Sequence, residues 1–372
     1  MPNRRTLVVG LVGYDFMGRA HSNAWRQAPR FFDLAGDVRM KTICGRDRRK
    51  VRAAAAKLGW ERTATDWRDM IGDDEISVID ICTPNHSHAE IAIAAAAAGK
   101  AVLCEKPLGR NVAECEQMLR AVKRARVPNM VCHNYRRVPA IALAKQMIER
   151  GEIGERLYHF RARYAQDWLA DPDSPFVWRL QSNVAGTGAL GDLGAHIIDL
   201  ARYLVGQVTE VSADSRTFVA RRSGKRVDVD DAAAAIGRFR NGAMLTLEAT
   251  RFARGRKNQL TFEINGSAGS LVFDLEKLNE LRFYSTADRE DARGFRKILV
   301  TEPAHPFVAN WWPPGHIIGY EHTFVHTIAD FVNAIVARKR VRPDFAEGLA
   351  NQRVLDAIER SAKTKRWIKL PR

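Results

Sequence analysis

Lys106 stands where a lysine can act on a bound ligand, directly after a short apolar run. It lies within Glu105-Lys106-Pro107, which follows Ala101–Cys104. A lysine that ends a buried strand, with proline behind it, projects into a crevice with restricted freedom and can hold a hydroxyl or carbonyl oxygen by a charge-assisted hydrogen bond. The alternative is a surface ion pair with Glu105, but neighbours in an extended chain point to opposite faces. We therefore expect a functional lysine.

A second chemical pattern lies in a glycine-rich helical segment from Gly188 to Leu204. Asp192, His196 and Asp199 have the spacing i, i+4 and i+7, which places all three along one face of a helix. A histidine between two carboxylates has its tautomer fixed and its basicity raised, which suits a general base. Two alternatives stay open: the trio as metal ligands, which no other His or Cys cluster supports, or a structural histidine. We predict a general base and no metal.

The turn after the first apolar run has the glycine spacing of a dinucleotide-binding motif. In the pattern G-x-G-x-x-G, Gly13 and Gly18 match the outer positions and Asp15 occupies the middle one. Such glycines let backbone amides approach a pyrophosphate, which rests on the helix N-terminus. A carboxylate at the middle position repels phosphate, although Asp tolerates left-handed backbone better than most residues. We expect dinucleotide binding; a plain structural turn is the alternative.

The residues that follow two further predicted strands could also contact the dinucleotide. After the second strand, Gly45-Arg46 favours NADP over NAD, because an arginine there accommodates a 2′-phosphate whereas an acid binds the 2′-hydroxyl. Asp47 comes one or two positions too late for that role, and a plain surface arginine is the alternative reading of Arg46. Thr83-Pro84-Asn85-His86-Ser87-His88 follows another strand, so its polar groups and helix start could contact ribose and nicotinamide.

The elements that must position these residues change character along the chain. Up to about residue 130, short apolar runs alternate with helical stretches, which is typical of a parallel α/β sheet. One helix, Ala89–Ala98, is closed by Gly99 as a C-cap. The predicted strands are Leu7–Val12, Met40–Cys44, Ser77–Cys82, Ala101–Cys104 and Asn129–His133.

From about residue 155 the chain shows longer strands separated by turns, with hairpin signals at Asn241-Gly242 and Asn265-Gly266. A charged, exposed loop is expected at Asp288–Gly294. We predict one inserted helix near Leu190–Val205 and two closing helices near Glu321–Val336 and Phe345–Lys363. The predicted strands are Arg156–Tyr164, Glu210–Ala220, Val227–Phe239, Ala243–Arg251, Gln259–Ile264 and Ser270–Asp274.

The predicted fold is therefore α/β plus α+β. Residues 1–130 form a doubly wound parallel sheet that binds a dinucleotide. Residues 131–372 form a substrate-binding and oligomerisation domain with a large, mainly antiparallel sheet, whose C-terminal helices can pack back on the first domain.

Composition excludes some classes of protein. The formal charge of +16 permits nucleic-acid binding, but Lys and Arg are spread along the chain without a basic arm, so we expect a solvated basic surface. No apolar run approaches the roughly 20 residues of a membrane helix, and no signal peptide is evident. We expect a cytoplasmic protein that binds neither membrane nor nucleic acid. All but one (Cys115) of the cysteines lie in apolar strand-like runs, consistent with reduced thiols: Cys44, Cys82, Cys104 and Cys132.

Together these motifs resemble the glucose–fructose oxidoreductase / inositol dehydrogenase family over nearly the whole chain. The resemblance rests on the glycine turn ending at His21, the Glu105-Lys106-Pro107 triplet and the Asp192…His196…Asp199 helix. Further segments point to a subgroup that oxidises the C3 hydroxyl of glucosides. They are Thr83-Pro84-Asn85-His86, Asn134-Tyr135-Arg136-Arg137, Gln166-Asp167-Trp168, Asp171-Pro172, Ser174-Pro175, Trp178-Arg179 and Pro303-Ala304-His305-Pro306.

The resemblance implies a Rossmann domain and a hydride transfer between a nicotinamide and a secondary hydroxyl of a sugar or glycoside. His196 would take the hydroxyl proton, Lys106 would bind the same oxygen, and Asp192 would orient His196 or the sugar. The implied cofactor contacts are Gly13, Phe16, Met17, Gly18, Arg46, Thr83, Pro84, Asn85, His88, Glu105, Lys106 and Asn134. The implied substrate contacts are Tyr135, Gln166, Asp167, Trp168, Arg179, Asp192 and His196.

Three functions remain open at this point. The first is an NAD- or NADP-dependent sugar or glycoside dehydrogenase. The second is a glycoside-cleaving enzyme that recycles a bound NAD through oxidation and elimination. The third is a non-catalytic sugar- or nucleotide-sensing regulator, against which the intact Lys106, Asp192 and His196 argue. The family further implies a homodimer or homotetramer.

Overall fold

The computed structural model describes residues 4–371 and divides into two compact units. The first unit comprises the chain up to Asn134 together with Gly319–Ala350, and the second comprises Tyr135–Ile318 and the chain from Asn351 onward. The division near Asn134 lies close to the expected boundary at 130. Gly319–Ala350, which the expected boundary assigns to the second domain, belongs to the first unit.

The N-terminal part of the chain alternates strands and helices as the sequence predicts. Its elements are β1 (Thr6–Val12), α1 (Phe16–Phe31), β2 (Asp37–Cys44), α2 (Arg48–Leu58), β3 (Arg62–Ala64), α3 (Arg68–Ile71), β4 (Val78–Ile81), α4 (His88–Ala97), β5 (Ala101–Cys104), α5 (Val112–Ala125) and β6 (Asn129–Val131).

The remaining elements are longer strands with fewer helices. They are α6 (Pro139–Glu149), β7 (Leu157–Ala165), α7 (Ser182–Ala185), a π-helical turn (Leu190–Gly194), α8 (Ala195–Leu204), β8 (Val208–Arg216), β9 (Arg221–Arg222), β10 (Lys225–Arg226), β11 (Ala232–Phe239), β12 (Met244–Thr250), β13 (Gln259–Gly266), β14 (Gly269–Asp274), β15 (Glu280–Ser285), β16 (Arg296–Leu299), α9 (Tyr320–Val336), α10 (Phe345–Thr364) and β17 (Ile368–Lys369).

The first unit contains a parallel sheet, which confirms the predicted architecture. Within residues 4–371 its strands follow the order β3-β2-β1-β4-β5-β6, the doubly wound order of dinucleotide-binding domains. Every residue of β4 and β5 is buried, as expected of strands covered on both faces. Gly99 ends the helix α4 segment with φ of +73°, as predicted for a C-cap. β3 was not predicted, because Arg62–Ala64 is short and largely exposed.

The second unit contains a large mixed sheet of the predicted, mainly antiparallel kind. Among the described residues the order is β16-β15-β14-β13-β7-β12-β11-β8-β17, and only the β7–β12 pair is parallel. Gly242, with φ of +87°, makes the predicted hairpin between β11 and β12. The prediction at Asn265-Gly266 is wrong in position: Gly266 stays in β13, and the chain reverses at Ser267-Ala268.

Two further features are the character of the helices and the state of the cysteines. Among the described residues, no helix has both the length and the apolar character needed to cross a bilayer. The cysteines are free thiols: Cys82 is partly buried, and the others are buried, including Cys115 on α5.

Candidate active site

The turn between β1 and α1 can be built only with glycine at two positions. Gly13 has φ of +108°, and a Cβ on it would lie 2.7 Å from the carbonyl oxygen of Cys82. A Cβ on Gly18 would lie 2.2 Å from the carbonyl oxygen of Gly13. The chain therefore closes tightly here, and the first turn of α1 presents its unbonded N–H groups at the end of the sheet. This cradle fits the pyrophosphate of a dinucleotide.

Asp15, the departure from the glycine pattern, does not need a left-handed backbone. It is the N-cap residue of α1 with φ of −76° and ψ of −153°, an extended conformation open to any residue. Its exposed side chain makes no capping hydrogen bond to the described residues. We expected the turn to depend on the tolerance of Asp for a left-handed backbone. The extended conformation of Asp15 corrects this expectation. Phe16 and Met17 follow it at the start of α1.

The end of β2 gives Asp47 a structural role. Its Oδ1 accepts hydrogen bonds from the N–H groups of Arg49 and Lys50, both at 3.0 Å, and so caps α2. Arg46 is exposed, and Gly45 is needed because a Cβ there would come within 2.0 Å of the ring of Tyr14.

His88 braces the two loops that follow β4 and β5. It is fully buried, with Nε2 2.9 Å from the carbonyl oxygen of Thr83 and Nδ1 3.1 Å from that of Pro107. Burial lowers the pKa of this histidine. Because the ring is committed to these loops, the predicted contact of His88 with the cofactor finds no support in the geometry. Pro84 precedes the short turn that contains Asn85.

Glu105 and Asn134 are likewise engaged within the first unit. Glu105 is buried, and its Oε1 lies 2.9 Å from Nε2 of His21, while its Oε2 accepts the N–H of Lys106. The side-chain amide of Asn134 donates to Oγ1 of Thr323 at 2.8 Å. Both side chains therefore have partners within the first unit, and their contact with the cofactor stays a prediction. Lys106 itself is half-buried.

In the second unit, Asp230 anchors the glycine-rich entry to Asp192 and His196. Its carboxylate accepts the N–H groups of Gly188 and Leu190, each at 2.7 Å. Burial raises the pKa of Asp230. A Cβ on Gly188 would lie 1.8 Å from the carbonyl oxygen of Asp230, so the two segments meet in direct backbone contact.

The predicted stripe of Asp192, His196 and Asp199 is interrupted. Leu190–Gly194 forms a π-helical turn before α8 begins, so the i, i+4 phasing of an α-helix does not hold from Asp192 to His196. π-Turns inside helices are often found at functional sites. The sequence offered only the glycines as a sign of this irregularity.

Both carboxylates of the stripe have arginine partners. Arg251 is fully buried and places Nη2 2.9 Å from Oδ2 of Asp192, and Arg179 approaches the same oxygen at 3.6 Å. Arg136 binds Asp199 through two buried hydrogen bonds of 2.6 and 2.8 Å. Arginines therefore balance the charge of both acids, and the sequence spacing gave no sign of these partners. Arg251 and Arg136 were not predicted as site residues.

His196 lies against two tyrosines that begin a chain of hydrogen bonds. The His196 ring centroid is 4.6 Å from that of Tyr135 and 5.7 Å from that of Tyr164. The hydroxyl groups of the two tyrosines are 2.9 Å apart, and the Tyr164 hydroxyl donates to Oδ1 of Asn258 at 2.7 Å. Gln166 donates to the same Asn258 oxygen at 2.7 Å and accepts from Nε1 of Trp168 at 2.9 Å.

These hydrogen bonds and ring contacts, together with the ion pairs of Asp192, connect six of the seven predicted substrate residues. The six are Tyr135, Gln166, Trp168, Arg179, Asp192 and His196. Asp167 instead binds Lys257 at 2.8 Å and the N–H of Gly255 at 3.0 Å, and the Lys257 hydrogen bond lowers the pKa of Asp167. Trp168 stays partly exposed, with the Arg251 guanidinium 5.3 Å from its ring centroid. Asn258 was missed, because a lone asparagine between Lys257 and Gln259 carries no local signal.

Both parts of the chain match the same family of known proteins. Residues 7–133 match the oxidoreductase family with an NAD-binding Rossmann fold, and residues 141–272 match the GFO/IDH/MocA C-terminal domain. The chain belongs to the GFO/IDH/MocA family. It is therefore an NAD-binding oxidoreductase, and the resemblance seen in the sequence is confirmed.

Several members of the GFO/IDH/MocA family are similar over the whole chain. Levoglucosan dehydrogenase of Pseudarthrobacter phenanthrenivorans is 45% identical over 99% of each protein. A solved levoglucosan dehydrogenase in complex with NADH and levoglucosan has a TM-score of 0.97 at 46% identity, covering 99% of this chain and 100% of that one. An oxidoreductase domain protein from Kribbella flavida has the same TM-score of 0.97 at 53% identity and the same coverage, 99% and 100%. The preference for NADP read from Gly45-Arg46 finds no support in the solved levoglucosan dehydrogenase complexes, in which NADH is the bound cofactor.

We expect Gly13→Ala to weaken NAD binding at least about tenfold, because the new Cβ meets the Cys82 carbonyl and the left-handed φ strains alanine. Titration calorimetry with NAD measures this. Gly99→Ala is the matched control, since Gly99 has φ of +73° with no described heavy atom within 4 Å of its Cβ. The control should lose about 1 kcal/mol of stability and keep its NAD affinity. Equal NAD affinity in both variants would contradict the close approach at Gly13.

Arg251→Met should remove a buried cationic partner of the Asp192 carboxylate. We expect kcat/KM for the substrate to fall about 10- to 100-fold, as for loss of a charged hydrogen bond, while NAD affinity stays unchanged. Arg251→Lys should recover part of the loss. Arg238→Met is the control, because Arg238 on β11 is an exposed arginine paired with Glu210. If Arg251→Met and Arg238→Met behave alike, Arg251 does not support the site.

Proposed function

We propose that this protein is an NAD-dependent dehydrogenase that oxidises the C3 hydroxyl of levoglucosan or a closely related glucoside. Relatives named levoglucosan dehydrogenase, and a myo-inositol 2-dehydrogenase of Thermotoga maritima at 30% identity over 72% of this chain and 75% of that protein, support a sugar or cyclic polyol as substrate. The observation that carries the proposal is the set of fixed polar groups around Asp192 and His196. Hydroxyl-rich ligands require such planar donors and acceptors in fixed positions.

In this proposal His196 is the general base that takes the proton from the reacting hydroxyl. The tyrosine rings packed against His196 limit the orientations of its imidazole. Little conformational freedom of this ring is therefore lost when the substrate binds. Lys106 binds the same oxygen and stabilises the negative charge that develops as the proton leaves. When bound, NAD would accept the hydride from the carbon that bears this hydroxyl, and that carbon would become a ketone carbonyl. Gly13, Gly18 and the first turn of α1 would hold its pyrophosphate.

Asp192 is assigned to the sugar rather than to the imidazole. Its carboxylate is held by Arg251 and Arg179, so it is a fixed acceptor for a sugar hydroxyl. Gln166 and the partly exposed Trp168 would contribute a polar edge and a flat apolar surface to the same ligand. Tyr135, which is buried against Tyr164, supports these groups through its hydroxyl.

The other two functions are less favoured. A glycoside-cleaving enzyme that recycles NAD would show no net reduction of added NAD, and a sensor would bind ligand without turnover. The relatives named above are dehydrogenases. A cytoplasmic location and assembly as a homodimer or homotetramer belong to the same proposal.

Lys106→Ala and His196→Ala test the assigned roles. We expect kcat to fall about 10²- to 10³-fold and about 10²- to 10⁴-fold respectively, because the first removes a charge stabiliser and the second a general base. NAD affinity should stay within about threefold in each, since neither residue is needed to form the glycine turn. Absorbance of NADH during levoglucosan oxidation gives the rates. His316→Ala, an exposed histidine, is the control; full activity in either test variant refutes its role.

Deuterium at single carbons tests the position of oxidation. With levoglucosan labelled at C3, we expect a primary isotope effect of about 2 or more on kcat/KM and transfer of the label to NADH, because the C3–H bond breaks in the chemical step. Levoglucosan labelled at C2 or C4 serves as the control and should show neither effect. Transfer of label from C2 or C4 would place the oxidation elsewhere and correct the proposal.

A further inference from the structure

A buried histidine next to the cofactor turn lies between two carboxylates. His21, on α1, places Nδ1 2.9 and 3.0 Å from the two oxygens of Asp80, on β4, and Nε2 2.9 Å from Oε1 of Glu105. Trp25 donates to Oδ2 of Asp80 at 2.7 Å. The side chains of His21, Asp80 and Glu105 are at most 6% exposed.

The geometry favours a proton on each ring nitrogen. A neutral imidazole has one N–H, so its bare nitrogen would face a carboxylate oxygen at 2.9 Å with little access to water. Burial disfavours the charged ring, but the Asp80 carboxylate outweighs it, and the pKa of His21 lies well above its ordinary value. Despite burial, the His21 hydrogen bond also lowers the pKa of Glu105. Two carboxylates and one imidazolium leave one negative charge, beside the cation of Lys106.

The same cluster fixes the backbone that carries Lys106. The second oxygen of Glu105 accepts the N–H of Lys106 at 3.1 Å, and the N–H of Glu105 donates to the carbonyl oxygen of Ile81 at 2.9 Å. Glu105 is therefore held on one side by the sheet and on the other by His21. Since His21 lies one turn into α1, it joins the helix that starts at the glycine turn to the loop of Lys106.

We propose that His21 is a positioning residue: as an imidazolium that bridges Asp80 and Glu105, it fixes Lys106 in the orientation needed for dehydrogenation. The part that concerns Lys106 rests on the proposed function. Without the bridge, the carboxylate of Glu105 is free to turn toward the Lys106 side chain, and the backbone N–H of Lys106 loses its acceptor. A displacement of about 1 Å of a group at the reacting atoms can reduce a rate on the order of 10²-fold.

Nuclear magnetic resonance of the wild-type protein labelled at histidine nitrogen tests the bridge without any assay. At pH 8, where an ordinary histidine is largely neutral, we expect His21 to show protons on both ring nitrogens. His21→Gln assigns the signal. Because His21, Glu105 and Cys132 also bring possible metal ligands within 4.8 Å of one another, metal analysis accompanies the spectrum. A single ring proton, or a metal ion bound at His21, overturns the proposal.

A double-mutant cycle tests the action through Lys106. In the wild-type background His21→Gln should lower kcat about 100-fold with little change in KM for NAD. In the Lys106→Ala background it should lower kcat less than about threefold, because the residue it positions is gone. An equal loss in both backgrounds would show a general structural effect and refute the proposal. His326→Gln, a buried histidine that contacts Phe32 beyond the other end of α1, is the control and should keep kcat.

Failure of the His21→Gln variant to fold and failure of the proposed function can be distinguished from failure of the bridge. If His21→Gln fails to fold, Glu105→Gln takes its place in the cycle, since it keeps the side-chain shape and removes the charge that demands the second ring proton. Its spectrum should lose one His21 ring proton, and a spectrum that keeps both would overturn the bridge. If the wild-type protein oxidises no sugar with NAD, the proposed function fails, whereas the spectrum still decides whether His21 is an imidazolium between two carboxylates.

Discussion

Buried carboxylates constrain both units, because each needs a cation or several N–H donors to be tolerated. An unpartnered buried carboxylate costs several kcal/mol, and a bound one holds its partner's backbone in place. Asp80 and Glu105 share His21 in the first unit, while Arg136 binds Asp199 in the second. The segments held in this way are the ones that carry Lys106 and His196. Charge balance in the interior is therefore also what orients the proposed catalytic groups.

Two of the groups assigned to the ligand are more exposed than these supports. Lys106 is half-buried and Trp168 partly exposed, whereas Glu105, His88 and Arg251 are buried. Asn258 shows how the support works: its single oxygen accepts from both Tyr164 and Gln166, which fixes two side chains at once. A site with rigid supports and accessible tips loses little conformational entropy when a polyhydroxylated ligand binds.

Much of the fold could be predicted because the strands carry strong local signals. β4 and β5 are short, continuously apolar and bounded by turns, and β11 and β12 alternate around Gly242. β15 also alternates, with Leu281 and Phe283 buried, but it lies beside charged loops and was not assigned. β16, Arg296–Leu299, is largely exposed at the sheet edge, so neither periodicity nor composition separates it from a loop.

Motif spacing could propose residues for the site, but it could not predict the partners that hold them. Motif spacing identified Lys106, Asp192 and His196, yet Arg251 comes from 59 positions beyond Asp192, and Glu105 from 84 positions beyond His21. From the spacing along one helix, Asp192 and Asp199 are expected to be neighbours of His196. Helical spacing gives no information about residues from other parts of the chain. A bidentate or buried arginine is a strong partner for an acid, and both carboxylates have such a partner from another element of the fold. The partner of a buried charge therefore has to be sought across the whole fold, with local spacing supplying only the candidates.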